Sequence, residues 1–389
     1  MLFLVTTDIG FETVLMEELR ELEPSIRFIR VFSGRILFEA QPLSGILAAL
    51  RSRIANNVYV VLHHFTNINS LDDIYKAVKS IDFTNVILPN ESFAIRPERI
   101  GEHGFTSIDI GRVAGQAVID SYLEARGIRL RVNLDNPDIE IYTELNRDKL
   151  YVALGITRTS LHKRGYRVFN HPAALKTTIA CALLRIAGWT PGRPVLDPMC
   201  GGGTILIEAA LASKGIEIPC FKLRELESNP VIDRVVPGAL NAIKKLCREV
   251  SRDVRKRFIG IEINPRFAEG AVINAKSAGV DDMILFVVGD ATKLLPRIVE
   301  VAEKELDLKL ELSIFNPPYG QRMKPKDLEN LYKGVVQLLR DLGFKRVVFI
   351  TSAIDIAEKV LMELDPGPTK RLYVVHGTLP SYVYSIELS

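Results

Sequence analysis

The residues best placed to do chemistry lie in SIFNPPYGQRM, residues 313–323. An apolar run stops there at Asn316, two prolines and Tyr319. Adjacent prolines remove two backbone donors, fix φ at both positions and hold the residue ahead of them extended. The stretch therefore fixes an amide, two carbonyls and an aromatic ring at the end of a strand. Asn316 Oδ1 and the Pro317 carbonyl are candidate acceptors for the two hydrogens of an amine, and Tyr319 is a candidate surface for a planar ring. The competing reading is a strand-ending turn with no further role.

A second group lies upstream. RPVLD (193–197) runs into PMCGGGT and then into the helix ILIEAALAS. Gly201, Gly202 and Gly203 let the backbone approach a ligand closely, with helix N-terminal amides beyond them. The spacing is neither GxGxxG nor that of a P-loop, so neither a dinucleotide nor a nucleoside-triphosphate cradle is supported. Asp197 stands before the turn, Glu262 ends the next strand and Asp290 ends the third. An acid at the second position accepts both hydroxyls of a ribose, and one at the third accepts a hydrogen from an exocyclic amine such as that of adenine. Acids rather than lysines match S-adenosylmethionine, an adenosine that carries a sulfonium and an ammonium. Taken alone, Asp290 also reads as a helix N-cap.

These groups need a scaffold, and the pattern supplies one. Residues 1–65 alternate as β-α-β-β-α-β, the ferredoxin-like split βαβ order. Residues 66–156 read as a second α+β unit: the helix LDDIYKAVKSI, the strand ESFAIRPERI, a long helix from Ser107, and the hairpin DIEIYTEL-NRDK-LYVALGI. TRTSLHKRGYRVFNHP (157–172) carries Arg158, Lys163, Arg164 and Arg167 with no acid and reads as a linker. From 173 to 389 strands alternate with helices, which implies a parallel sheet covered on both faces. The last two strands, RLYVVHG and SYVYSIEL, have no helix between them and must be antiparallel.

Composition narrows the class. A net charge of +3 neither demands nor excludes nucleic acid, so an RNA binder of this kind must concentrate its cations locally. No apolar run reaches about 18 residues, and the start lacks a basic leader, so neither a membrane span nor a signal peptide is expected. The four cysteines (Cys181, Cys200, Cys220 and Cys247) form no CxxC pair and no set with histidine. Neither a metal site nor a disulfide is expected, and the cytoplasm is the simplest compartment. Only four glutamines accompany many Lys, Arg and Glu residues, a composition that points to a thermophilic source.

With DPMCGGGT, GIEIN, VVGDAT and NPPYG in this order, residues from about 170 to 389 resemble a class I methyltransferase: a Rossmann-like, seven-stranded α/β sheet with an antiparallel last strand. FAIRPERIGEHGFTSIDIGRVAGQAV and VNLDNPDIEIYTEL resemble a THUMP domain, a unit found on RNA-modifying proteins, here preceded by the ferredoxin-like unit. The segment TSLHKRGYR…HPAALKTTIA is similar to that of guanine-N2 methyltransferases of tRNA and 23S rRNA, and the archaeal tRNA enzymes acting on the sixth nucleotide of the acceptor stem match in length as well. The resemblance implies S-adenosylmethionine as cofactor, held by Asp197, Met199, Cys200, Gly201, Gly202, Gly203, Thr204, Glu262, Ile263, Asp290, Ala291 and Asn316. It implies Asn316, Pro317 and Tyr319 as the catalytic residues, tRNA as partner, no metal, and a monomer. Arg96, Arg99, His103, Lys163, Arg164, Arg167, Arg322 and Lys324 are candidate RNA contacts. The choice of guanine rests on the resemblance, because an asparagine amide suits adenine equally; rRNA, DNA adenine and a protein glutamine remain alternative substrates.

One departure concerns length. Glu262 follows Asp197 by far more than the about 20 residues of an unadorned βαβ unit. The excess, 216–256, holds a helix with Ile243, Leu246, Cys247, Val250 and Val254 on one stripe. Lys244, Lys245, Arg248, Arg252, Arg255 and Lys256 lie opposite, a candidate phosphate-contacting face.

Overall fold

The computed structural model describes residues 1–248, 257–320 and 323–388. The chain runs β1 (Leu2–Thr6), α1 (Glu12–Leu22), β2 (Arg27–Phe32), β3 (Arg35–Glu39), α2 (Pro42–Arg51), β4 (Asn57–Phe65), α3 (Leu71–Lys79), β5 (Ser92–Ile100), α4 (Ser107–Arg126), β6 (Arg131–Val132), β7 (Ile139–Asn146) and β8 (Lys149–Gly155). It continues through α5 (Thr177–Ile186), β9 (Val195–Asp197), α6 (Thr204–Ser213), α7 (Leu223–Glu227), α8 (Val231–Val235), α9 (Ala239–Arg248), β10 (Phe258–Glu262), α10 (Pro265–Ala278), β11 (Ile284–Val288) and α11 (Ala291–Leu306). The final elements are β12 (Leu312–Phe315), α12 (Pro325–Asp341), β13 (Arg346–Thr351), α13 (Ile354–Leu364), β14 (Thr369–His376) and β15 (Leu379–Glu387).

Two units result. The first comprises Met1–Thr6, Leu19–Leu161 and Lys222–Leu246. Its single sheet has the order β2-β3-β1-β4-β8-β7-β5-β6. The first four strands are those of the ferredoxin-like pattern, with β1 antiparallel to both β3 and β4. β4 then pairs with β8, Tyr59 opposite Gly155, so the ladder continues across the boundary that the sequence pattern placed near residue 65. Capping boxes start two helices: Ser70 with Asp73 for α3 and Thr106 with Asp109 for α4.

Most of the long insertion also belongs to this unit. Arg234 grips Glu91 with both terminal nitrogens at 2.7 and 2.8 Å. Asn229 donates to the carbonyls of Gly155 and Ile156 at 2.9 and 3.1 Å. In the basic helix, Ile243 is buried as its stripe requires, while Lys244 is tied to Glu227 at 3.0 Å. Val250, Arg252, Val254, Arg255 and Lys256 lie outside the described residues.

The second unit comprises Thr7–Glu18, His162–Phe221 and Cys247–Ser389. Its sheet has the order β11-β10-β9-β12-β13-β15-β14. The first five of these strands run parallel, and β15 lies antiparallel between β13 and β14. This is the class I methyltransferase order, with its reversal between β9 and β12. One core cluster joins Phe315, Tyr332, Phe349 and Tyr384. Phe349 stacks on Phe315 at 5.4 Å and on Tyr384 at 5.1 Å. No helix among the described residues is long and apolar enough to cross a membrane.

The stretch that reads as a linker is packed. Leu161, Arg164 and Tyr166 are buried, and the last two face Glu208, itself fully buried on α6. Tyr166 donates to it at 2.9 Å, Cys181 at 3.2 Å, and the Arg164 guanidinium lies 3.6 Å away.

The expectation of no disulfide is overturned. Cys220 and Cys247 are bonded, with their Cα atoms 5.4 Å apart. They stand 27 residues apart, with α7 and α8 between them and Cys247 near the end of α9, so no local spacing announces the pair. Intracellular proteins of hyperthermophiles do keep such bonds, in keeping with the glutamine-poor composition. Closing a loop of this length stabilises a fold by about 3 kcal/mol in the chain-entropy estimate. Cys220→Ser is therefore expected to lower Tm, and a reductant should lower the wild-type Tm but not that of the variant. Equal response of both proteins to reductant in a thermal melt would contradict the bond.

Candidate active site

The strand ends on either side of the β9/β12 reversal gather the acids, the glycine turn and NPPY. Asp197 closes β9 at 2% exposure, and its Oδ1 accepts from the Met199 amide at 3.0 Å. Burial pushes its carboxyl well above the ordinary carboxylate range; the Met199 amide opposes this and the Glu262 charge adds to it. Glu262 closes β10 and is pinned at both oxygens. Oε2 accepts from the Gly201 amide at 3.0 Å and Oε1 from the Asn264 amide at 2.8 Å. Each oxygen retains a lone pair for a hydroxyl donor.

The turn between β9 and α6 requires glycine for two reasons. Gly201 and Gly203 sit at φ +53° and +79°, where a side chain is strained. A Cβ on Gly203 would also stand 3.0 Å from the Phe286 ring and 3.2 Å from Ala271 Cβ. Cys200, Thr204 and Ala291 are buried. Burial also holds the Cys200 thiol well above its usual range, with the charges of Asp197 and Glu262 contributing. Ile263, by contrast, is 69% exposed, and Val288 at the end of β11 is exposed too. Two apolar side chains thus stand uncovered next to Glu262, as a ring over the strand ends would need.

Asp290 caps α11. Its Oδ1 accepts from the Thr292 amide at 3.0 Å and the Thr292 hydroxyl at 2.7 Å, and the latter bond chiefly lowers its pKa. Its Oδ2 lies 3.6 Å from the Lys293 ammonium, which leaves that oxygen able to accept from an amine.

Asn316, half-buried, follows β12 directly, and Pro317 is buried behind it. The loop is braced from below: Tyr332 on α12 donates to the Pro318 carbonyl at 2.8 Å and lies 2.8 Å from the Thr351 hydroxyl on β13. Gly320 at φ +86° turns the chain out of the motif. The Tyr319 hydroxyl donates to Asn316 Oδ1 at 2.5 Å, so the ring is engaged with the motif's own acceptor. Burial raises the phenol's pKa above its usual value.

The RNA candidates divide. Arg99, Lys163 and Lys324 are exposed. Arg96 is held by Glu140 at 2.7 Å and by the Leu134 carbonyl, and His103 Nε2 pairs with the Arg147 carbonyl at 2.7 Å. Arg167 donates to the Leu175 carbonyl. Arg164, at 3% exposure, faces inward to Glu208 and has no surface to offer a phosphate. Arg322 lies outside the described residues.

Three residues that the motifs did not single out shape the site. Asn274, buried in mid-α10, accepts from the Phe169 amide at 2.9 Å and donates to the carbonyls of Phe169 and Gly202 at 3.1 and 3.2 Å. It clamps the incoming chain to the glycine turn, and an inward amide in a helix of small residues was its only signal. His171 lies with its ring 3.4 Å from where a Cβ on Gly201 would be. Burial lowers its pKa, opposed by Glu262. The third is His376, 3.3 Å from the Tyr319 hydroxyl.

Together these groups can hold an adenosine with a cationic tail. A buried carboxylate with one hydrogen bond suits a cation, the pinned carboxylate suits a ribose, and the uncovered aliphatic side chains suit a base. Among the described residues no cluster of His, Cys, Asp and Glu is arranged to hold a metal.

Similarity to known proteins bears on the family and the fold. A family profile described as "RMKL-like, methyltransferase domain" matches residues 164–379, and a THUMP domain profile matches 69–154. The chain is 39% identical to a tRNA (guanine(6)-N2)-methyltransferase of Methanocaldococcus jannaschii, over 99% of this chain and 100% of that protein. It is 38% identical to a protein of the same name from Archaeoglobus fulgidus, over 97% and 90%. A ribosomal RNA large subunit methyltransferase K/L of Photobacterium profundum is 32% identical over 82% of this chain but only 44% of its own length. Among solved structures, TrmN from Thermus thermophilus superposes with a TM-score of 0.72 at 21% identity, covering 100% of both chains. A likeness at that identity speaks to fold alone.

The raised Asp197 pKa has a definite sign. An ionised carboxylate that the fold disfavours costs stability at neutral pH, and the cost vanishes as pH falls through the raised value. Asp197→Asn keeps an acceptor for Met199 and removes the charge. Its Tm should exceed that of wild type near pH 8, the gap closing toward about pH 4, while S-adenosylmethionine affinity falls. A variant less stable than wild type at every pH would contradict this account.

Proposed function

This chain belongs to the THUMP-bearing family of RMKL-like methyltransferases, and from that premise we propose that it transfers methyl from S-adenosylmethionine to the exocyclic N2 of guanine in tRNA, at the sixth nucleotide of the acceptor stem. The base and the position follow the two archaeal relatives, whose similarity extends over nearly the whole chain. The observation that carries the chemistry is the NPPY loop, braced by Tyr332 at the end of β12 on the far side of the reversal from Asp197 and Glu262.

The cofactor supplies an electrophilic methyl group on a positively charged sulfur. Asp197 holds the cationic end, the free lone pairs of Glu262 take the ribose hydroxyls, and Asp290 Oδ2 takes the adenine amine. The backbone of Met199, Cys200, Gly201, Gly202, Gly203 and Thr204 forms the wall, with Ile263 and Ala291 beside the base. Guanine N2 is a poor nucleophile because its lone pair is delocalised into the ring. Asn316 Oδ1 and the Pro317 carbonyl accept its two N–H groups and favour the tetrahedral nitrogen of the transition state. The N–C bond forms as the C–S bond breaks, and the methylated amine then loses a proton to solvent without a strong base. Tyr319 holds the base in line, so that catalysis is largely positioning. A stem nucleotide must leave its stack to reach these groups. The reading includes a monomer working in the cytoplasm, with Arg99, Lys163 and Lys324 as outward cations for RNA phosphates.

Incubation of unmodified tRNA and rRNA with labelled S-adenosylmethionine, followed by nucleoside mapping, tests the reading. N2-methylguanosine at the sixth tRNA nucleotide is expected. Label confined to adenosine, DNA or protein would refute it, and label in rRNA guanine alone would transfer the activity to that substrate. Asn316→Ala should reduce turnover by roughly a hundredfold or more with cofactor affinity retained; loss of cofactor affinity instead would assign the amide to the cofactor pocket.

A further inference from the structure

The acceptor that an incoming amine needs already takes one hydrogen bond from the chain itself. The Tyr319 hydroxyl donates to Asn316 Oδ1 at 2.5 Å, and its oxygen lies 3.3 Å from His376 Nδ1. Those two groups are the hydroxyl's partners among the described residues. The imidazole stands edge-on to the phenol, with centroids 6.3 Å apart and planes at 86°. An amide oxygen has two lone pairs, so the amine finds one of them already taken by the hydroxyl and the oxygen a weaker acceptor for it. Moving the hydroxyl aside without giving it a partner would leave a polar group unsatisfied in a half-buried site.

His376 is built to receive it. The residue ends β14, where it stands opposite Leu379 of β15. The strand is fixed there by a contact from residues 7–10 of the same unit: the Val375 amide donates to the Ile9 carbonyl at 2.9 Å. Gly10, at φ +98°, lies so close that a Cβ would meet the Tyr373 carbonyl at 2.2 Å. Burial lowers the imidazole's pKa, with the nearby Asp8 carboxylate opposing and the Lys176 ammonium adding to the shift. A neutral imidazole keeps one nitrogen as an acceptor.

We infer that His376 is a positioning residue for methyl transfer: it accepts the Tyr319 hydroxyl when the target amine takes Asn316 Oδ1, so the phenol draws on the acceptor in the free enzyme and leaves it wholly to the amine in the complex. The inference rests on Asn316 being the amine's acceptor. Tyr319 thereby does two jobs, ring against base and hydroxyl against acceptor, and His376 lets the second give way to the first.

A double-mutant cycle in steady-state kinetics with tRNA separates this from a structural role. His376→Phe keeps the ring and removes the acceptor; it should lower kcat/KM for tRNA roughly tenfold and leave KM for S-adenosylmethionine unchanged. His376→Asn offers an amide oxygen near the Nδ1 position and should restore most of the loss. In a Tyr319→Phe background there is no hydroxyl to receive, so His376→Phe should then change kcat/KM by less than about twofold. Equal losses in both backgrounds, or no loss in either, would overturn the inference. S-adenosylhomocysteine titration of each variant reports an intact fold. Should Asn316→Ala retain full turnover, the acceptor reading fails with it; an inactive Asn316→Ala beside an uncoupled cycle removes only the role of His376.

Discussion

The site depends on the reversal of strand order between β9 and β12. These neighbours share a single registered pair, Leu196 with Ser313, whereas β12 and β13 share four. Helices that follow strands on either side of such a point leave in opposite directions, and the carboxyl ends are left uncovered between them. Polar groups can be placed there without entering the apolar sheet. Asp197, Glu262, Asp290 and Asn316 all stand at or just beyond a strand end for this reason. The glycine turn is the tightest exit from β9 toward α6, and Glu262 holds it open through the Gly201 amide.

What the reversal opens, the core must hold still. The Phe315, Phe349 and Tyr384 stack lies directly beneath the NPPY loop, and Tyr332 carries its order upward through one hydroxyl shared between the Pro318 carbonyl and Thr351. Two prolines fix φ, yet φ alone does not orient a peptide plane; the Tyr332 hydrogen bond does so for the bond after Pro318. A site that works by aiming acceptors needs this kind of support, because an error of about 1 Å in position costs orders of magnitude in rate. The same demand explains the cost accepted at Asp197, a carboxylate buried where the fold alone disfavours its charge.

Legibility followed the range of the interactions. The strand-helix alternation, the glycine turn and NPPY were readable because each is set within a few residues. The acids were readable because strand ends fall at predictable places in an alternating pattern. Partners that the fold brings from afar left no such trace. Cys220 and Cys247 meet across α7 and α8, β4 meets β8 across the whole second α+β unit, and Arg164 looks like a surface cation until Glu208 is known to be buried. Asn274 and His376 act on Phe169 and Tyr319 from elements distant in sequence, and nothing local to either residue states its partner.

Charge gives a last instance of this rule and bears on how RNA is met. The sequence offers many cations, but the fold spends several of them internally: Arg96 on Glu140, Arg164 on Glu208, Arg234 on Glu91 and Lys244 on Glu227. A guanidinium already held by a carboxylate brings little net field to a phosphate. With a net charge of only +3, affinity must come from the few cations left outward and from fit to a particular RNA shape. A neutral acceptor at Asn316 suits that economy. An aspartate there would accept hydrogens more strongly, but it would add a fourth carboxylate to Asp197, Glu262 and Asp290 and turn the approach to the pocket negative for a polyanion. On the proposed reading, the amide accepts without adding charge and keeps two N–H donors for an adjacent ring nitrogen, which assigns the base to hydrogen bonds and the strand to the cations outside.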